Sequence, residues 1–117
     1  MSKNEPAFMV HYNMCPVEPE EGPDAKGFQL RKLLDGGEGP KGFGLRYFEI
    51  EAGGASHTHH HVYEQANYVI SGRAILTCDG KTLEMSEGCA AYIPPHAVHR
   101  FSNAGSEKLV MLGIRGA

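Results

Sequence analysis

Glycine or proline cuts short nearly every apolar run in this chain before a helix could complete several turns. The sequence holds 15 glycines and 7 prolines in 117 residues. Both penalise helix interiors, glycine through backbone entropy and proline through its missing N–H. What remains between them are short runs with the two-residue alternation of strands. In "FGLRYFEIEAGG" Arg46, Phe48 and Ile50 share one face and Leu45, Tyr47, Glu49 and Glu51 the other, so Phe48 and Ile50 are expected to face a core. "GFQLRKLL", "QANYVISG", "RAILTC", "KTLEMSEG", "CAAYIPP", "HRFSNAG" and "EKLVMLGI" read the same way. Asp79-Gly80 suits a type I′ hairpin between two of them, because both central positions need φ > 0. Strands of this number, about 8–12 residues apart, predict an all-β sandwich or barrel.

With 41% hydrophobic residues, the chain can bury one modest core and form one domain. Residues 1–25 differ from the rest. They carry Glu5, Glu18, Glu20, Glu21 and Asp24 against Lys3 alone, with prolines at 6, 16, 19 and 23, which argues for an extended arm ahead of a barrel over 26–117. Within that arm "FMVHYNM" (8–14) is compatible with an edge strand. Net charge is −3 and the pI about 6.1, so no general attraction to nucleic acid or an anionic membrane is expected. No apolar run approaches the ~20 residues that span a bilayer, and no signal-peptide core opens the sequence. Cys15, Cys78 and Cys89 are odd in number and follow no CxxC spacing, so free thiols, a cytoplasmic location and no cysteine zinc site are expected. Neither a Ser-His-Asp nor a P-loop signature is present.

The chemistry concentrates in "HTHHHVYEQANYVISG", His57 to Gly72. On extended backbone, residues two apart point the same way. His59 and His61 can therefore project together, with His57 sharing their parity and His60 opposed. His99 follows a proline-rich turn some forty residues later and can approach from a neighbouring strand. Neutral imidazoles converging from two segments suit a divalent transition metal.

The punctuation around these histidines resembles the cupin superfamily. Its first motif (Gly, five residues, His-x-His, three or four residues, Glu, six residues, Gly) is matched by Gly53, His59, His61, Gln65 and Gly72. Its second (Gly, five residues, Pro-x-Gly, two residues, His, three residues, Asn) is matched by Gly88, Pro94, His96, His99 and Asn103. The resemblance covers residues 44–114 and implies a single-domain cupin β-barrel of jelly-roll order. It also implies one metal held by His59, His61, Gln65 and His99. Two positions depart from the pattern. His96 stands where the second motif has glycine, a turn position whose positive φ histidine tolerates. Gln65 stands where a Glu is usual. A rival register through His57, His59 and Glu64 leaves seven residues before Gly72 and puts Glu51 in place of the first Gly, so the resemblance favours Gln65. The "EQ" pair before "YVISG" is also similar to small cupins linked to pectin breakdown, which use three His and a Gln. Their Asp, Phe and Arg near the C-terminus have no clear counterpart here, and Arg115 alone does not replace them.

Neutral donors leave a divalent ion its full charge, which favours Lewis-acid chemistry over stabilisation of a trivalent state. The ion is expected to be Mn, Fe, Co, Ni or Zn, all of which accept such ligands. Three functions compete on this scaffold: a metal-dependent isomerase or lyase acting on a small oxygen-rich metabolite such as a sugar acid or keto acid, a dioxygenase, and a non-catalytic small-molecule binding or sensing domain. Arg46 either enters the cavity to grip a substrate carboxylate or lies over the barrel surface. Glu64 is either a solvated rim residue or a carboxylate that orients an imidazole. Tyr63, Tyr68 and Tyr92 read as packing residues, Phe101 as packing under the site, and Cys78 and Cys89 as small buried hydrophobes. A homodimer completes the expectation.

Overall fold

The computed structural model describes residues 6–19, 22–37 and 39–117. Among the described residues nine strands form: β1 (Glu18–Pro19), β2 (Lys26–Leu34), β3 (Phe43–Ala55), β4 (Gln65–Ser71), β5 (Ala74–Cys78), β6 (Lys81–Met85), β7 (Ala90–Ile93), β8 (His99–Asn103) and β9 (Leu109–Gly116). They hydrogen-bond in the order β6-β5-β8-β3-β9-β4-β7, with β2 on the other side of β3 and β1 on β2. Each pairing is antiparallel. This is the all-β barrel that the strand spacing predicts, in the form that the resemblance to cupins implies. The thirteen-residue β3 joins its two halves: Phe43–Ile50 pair with β9, and Ala55 pairs with Ser102 of β8.

Register turns the alternation of each strand into layers across the barrel. Phe28, Ile50 and Leu109 lie in one row, and Leu30, Phe48, Met111 and Val69 in the next. Ile50, Val69, Leu109 and Met111 are fully buried, as expected for positions whose apolar area is removed from water on both flanks. The third row carries Arg46, Gly113 and Asn67, and the fourth Gly44, Arg115, Gln65 and Ile93. Polarity therefore enters the interior at one end of the barrel. Gly113 is demanded by the packing, since a Cβ there would sit 2.4 Å from Cε2 of Phe48.

The turns follow their residues. Asp79 and Gly80 have φ of 48° and 80°, as a β5–β6 hairpin of the expected type requires. His96 has φ 69° and fills the glycine position of the second motif without loss of the turn. One local expectation is corrected. Residues 8–14 form no strand; Tyr12–Met14 is a single 3₁₀ turn. Its start is capped by His11, whose Nδ1 accepts from the Asn13 N–H at 3.1 Å, and the Tyr12 ring stacks on Tyr47 at 4.8 Å. Arg31 donates to the carbonyls of Tyr12 and Cys15, so side chains rather than a ladder fix this segment. Cys15, Cys78 and Cys89 are all free thiols. No helix among the described residues is long and apolar enough to cross a membrane.

Candidate metal centre

Residues 56–64 run as a loop between β3 and β4, yet their backbone is fastened to the rest of the barrel. His59 and His99 form an isolated antiparallel bridge, exchanging N–H···O bonds of 3.1 and 2.9 Å. A third bond, from the His96 N–H to the His61 carbonyl at 2.6 Å, ties the same loop to the second motif. Main chain thus brings together histidines forty residues apart. The rings of His59 and His61 are 4.4 Å apart, those of His59 and His99 4.5 Å, and those of His61 and His99 5.3 Å. One nitrogen from each lies within 4.8 Å of the other two, a separation that a single ion can bridge.

Hydrogen bonds decide which nitrogen each ring offers. Nδ1 of His59 is 2.6 Å from the His57 carbonyl and Nδ1 of His99 is 2.9 Å from the Ala97 carbonyl. A carbonyl can only accept, so both rings carry their proton on Nδ1 and keep the lone pair on Nε2. His99 is 2% exposed and its Nε2 is buried without a hydrogen-bond partner. An orphaned acceptor of this kind fits a metal ligand. Burial, then the neighbouring His59 and His99 and the Arg46 charge, lower the His61 pKa to about 4. Burial lowers that of His99 as well. Both rings are therefore neutral near pH 7, the state that ligates.

Gln65, the first residue of β4, lines the same cavity as the three histidines. Its Nε2 donates to Oδ1 of Asn67 at 2.8 Å, which leaves Oε1, the only atom of the amide able to ligate, unengaged by that bond. Phe28, Phe48, Phe101 and Met111 supply the apolar wall. The cavity measures about 40 Å³, which limits the site to a small ligand.

Other candidates resolve differently. Arg46 lines the cavity and its Nε is 2.5 Å from Oδ2 of Asp35. Glu64 is exposed and accepts from the Tyr92 hydroxyl at 2.9 Å, so it serves the rim and orients no imidazole that the structure records. His57 is engaged by Asp24, with Nδ1 2.6 Å from Oδ1. The Asp24 carboxyl, which also accepts from the Thr58 hydroxyl and N–H, is held well below the usual carboxylate range by Thr58 and His57. His60 and His96 are exposed. Tyr63 stacks on His61 at 4.4 Å, whereas Tyr68 and Tyr92 face outward. Phe101 is buried in the cavity wall.

Two residues at the site escaped the sequence reading, Asn67 and Asp35, and a third, Arg115, was weighed there only as a stand-in for the missing C-terminal set. Asn67 follows Gln65 by two, and that parity was its one available signal. Arg115 pairs with Gln65 across β9 and β4, a neighbour visible only once the register is known. Asp35 lies in the glycine-rich loop after β2 and reaches both Arg46 and Arg115; no local pattern predicts it.

The family described as "Cupin domain" matches residues 46–115, more than half of the chain. Among solved structures, the polyketide cyclase RemF from Streptomyces resistomycificus superposes with a TM-score of 0.82 at 29% identity, over 94% of this chain and 79% of that one. KdgF from Halomonas sp. gives a TM-score of 0.74 at 18% identity, over 97% and 96% of the two chains, a likeness of fold alone. The uncharacterized protein MJ1618 of Methanocaldococcus jannaschii is 34% identical over 53 residues, 45% of this chain and 42% of its own length. The chain spans less than two thirds of the length of the curated relatives that it matches. With its barrel, its two fastened motifs and this match across most of β3 to β9, the chain belongs to the cupin family.

Proposed function

We propose that the protein is a metal-dependent enzyme that acts on a keto group of a small, oxygen-rich metabolite. His59, His61, Gln65 and His99 would hold one divalent transition metal, drawn from Mn, Fe, Co, Ni and Zn. The observation that carries this reading is the partnerless, buried Nε2 of His99 facing a cavity shared with two more imidazoles and an amide. Once bound, such an ion supplies Lewis acidity toward a carbonyl oxygen. The chain does the rest. Neutral imidazoles and a neutral amide offer lone pairs without cancelling the ion's charge. The Nδ1–carbonyl bonds of His59 and His99 fix the ring planes, and the aromatic wall keeps bulk water away from the reacting end. The 29% identity to a protein named as a polyketide cyclase supports a keto substrate over a sugar acid. Carbonyl chemistry of the isomerase or lyase kind is the consequence.

Cytoplasmic location and a homodimer belong to the same reading. For the dimer, Ile114, Tyr68 and Tyr92 stand 50%, 46% and 60% exposed on adjacent strands of one outer face, an apolar surface that a second copy would cover.

Metal analysis of the protein as isolated, paired with oxygen-uptake measurements on keto substrates, tests the function. Stoichiometric divalent metal with turnover and no oxygen consumption is expected. Oxygen uptake in step with turnover would make the protein a dioxygenase, ligand binding without turnover would make it a sensor, and absence of a metal would sink the reading.

A further inference from the structure

At the polar end of the barrel, Asp35, Arg46 and Arg115 form a cluster outside the proposed metal ligands. Oδ2 of Asp35 takes Nε of Arg46 at 2.5 Å, and Oδ1 takes Nε of Arg115 at 3.0 Å together with its Nη2. Nη1 of Arg115 donates to the Gly116 carbonyl, and its guanidinium covers the Tyr63 ring at 5.6 Å. Arg115 is therefore fully engaged. Arg46 is not: among the described residues neither of its terminal nitrogens has a partner, although it lines the cavity beside His59, His61 and Gln65. Its side chain is 21% exposed, whereas that of Asp35 is 5% exposed.

Two features mark this as a built site rather than an incidental ion pair. The backbone is cut away for it, since a Cβ on Gly44 would lie 2.7 Å from Cγ of Asp35 and 2.8 Å from Nε of Arg115. The charge is also uneven. Two guanidiniums against one carboxylate leave one positive unit, and the unpaired edge belongs to the arginine that faces the cavity. Burial would raise the Asp35 pKa, but the hydrogen bonds and charges of Arg115 and Arg46 outweigh it and lower it, so the carboxylate stays ionised. With Nε committed to Asp35, the end-on fork of Nη1 and Nη2 is what Arg46 can still offer, and it matches the two oxygens of a carboxylate.

We infer that Arg46, positioned by Asp35 and backed by Arg115, is a subsite for one carboxylate, and that the ligand is a singly charged keto or hydroxy monocarboxylate. This deepens the keto-substrate reading and rests on it for the placement of the keto group, while the carboxylate contact needs no ion.

The test is titration of the isotope-labelled full chain with pyruvate and with uncharged methyl pyruvate, followed by amide and arginine side-chain NMR, metal-free and zinc-loaded. Pyruvate is expected to bind more tightly than its ester. Arg46→Gln should weaken pyruvate by roughly tenfold to a hundredfold in the metal-free arm, where no ion contributes to the difference. Arg46→Lys should fall between, as a point charge without the fork. Arg73→Gln, an exposed arginine paired with Glu84, should change nothing. Equal pyruvate affinity in wild type and Arg46→Gln, equal affinity for acid and ester, or no saturable pyruvate binding overturns the inference. Should Arg46→Gln fail to fold, unchanged pyruvate affinity in Arg46→Lys overturns it instead. Failure of zinc to bind would sink the metal reading alone, because the metal-free arm still decides the subsite.

Discussion

Gln65 and Asn67 form a directed pair in which the Nε2 of Gln65 donates to the Oδ1 of Asn67 at 2.8 Å. Asn67 is 1% exposed and its own Nδ2 has no partner. Reversing both amides would let that orphan donate, but would turn the Gln65 oxygen, the atom proposed to ligate, toward Asn67. The direction present leaves an N–H of Asn67 unsatisfied and Oε1 of Gln65 open. Asn67→Leu should weaken divalent-metal affinity by about tenfold to a hundredfold, read by competition with a chromophoric chelator. Asn67→Asp, an acceptor only, should retain it. Wild-type affinity in Asn67→Leu would show that this pair does not govern Gln65.

Removal of a histidine at the bridge is more severe. His99→Ala should lower metal content to background by elemental analysis, an affinity loss of about a hundredfold or more, while the backbone bonds between residues 59 and 99 survive because they use no side chain. Unchanged metal content in this variant would show the ligand set to be wrong.

His61 makes the metal-free protein sensitive to acid. Its pKa is lowered to about 4 by burial and by the neighbouring His59, His99 and Arg46, against about 6.5 in the unfolded chain. Between those values the unfolded chain binds more protons, so stability rises with pH across the window and is lost as pH falls from about 6.5 toward 4. His61 should account for at most about 3 kcal/mol of that change, reduced by solvent screening because the ring is only partly buried. Denaturant unfolding at a series of pH values should show a shallower slope in His61→Gln. A residual slope persists there because His99 is shifted in the same direction. An identical slope in the variant would count against this account.

Gly113→Ala should destabilise the fold without touching a proposed ligand. Its Cβ would fall 2.4 Å from Cε2 of Phe48 and 3.1 Å from Nδ2 of Asn67, and Phe48 is buried. Overpacking of this kind costs about 1–3 kcal/mol, or about 4–12 °C in Tm for a chain of this length. An unchanged melting temperature would mean that the ring has room to shift.

The fold was legible because alternation and turn chemistry agree along the chain. Arg46, Phe48 and Ile50 alternate inward on β3 as their parity predicts, and Asp79-Gly80 makes its hairpin. The histidine segment was legible for a subtler reason. It is a loop, yet extended backbone keeps His59 and His61 on one side just as a strand would. The arm misled the reading, because a β-rich composition at 8–14 was outweighed by a local His11 cap and by stacking on Tyr47. The contact between Asp35 and Arg115 was hidden for want of register: the two stand 80 positions apart in sequence, and the pairings of β2 with β3 and of β3 with β9 bring them together.

The mutual amide–carbonyl bonds of His59 and His99 have one more implication, for how freely the side chains there can vary. Because backbone groups alone clasp these two stretches, the clasp itself survives a change of either imidazole, and the chemistry at its tips can diverge without the barrel having to be rebuilt.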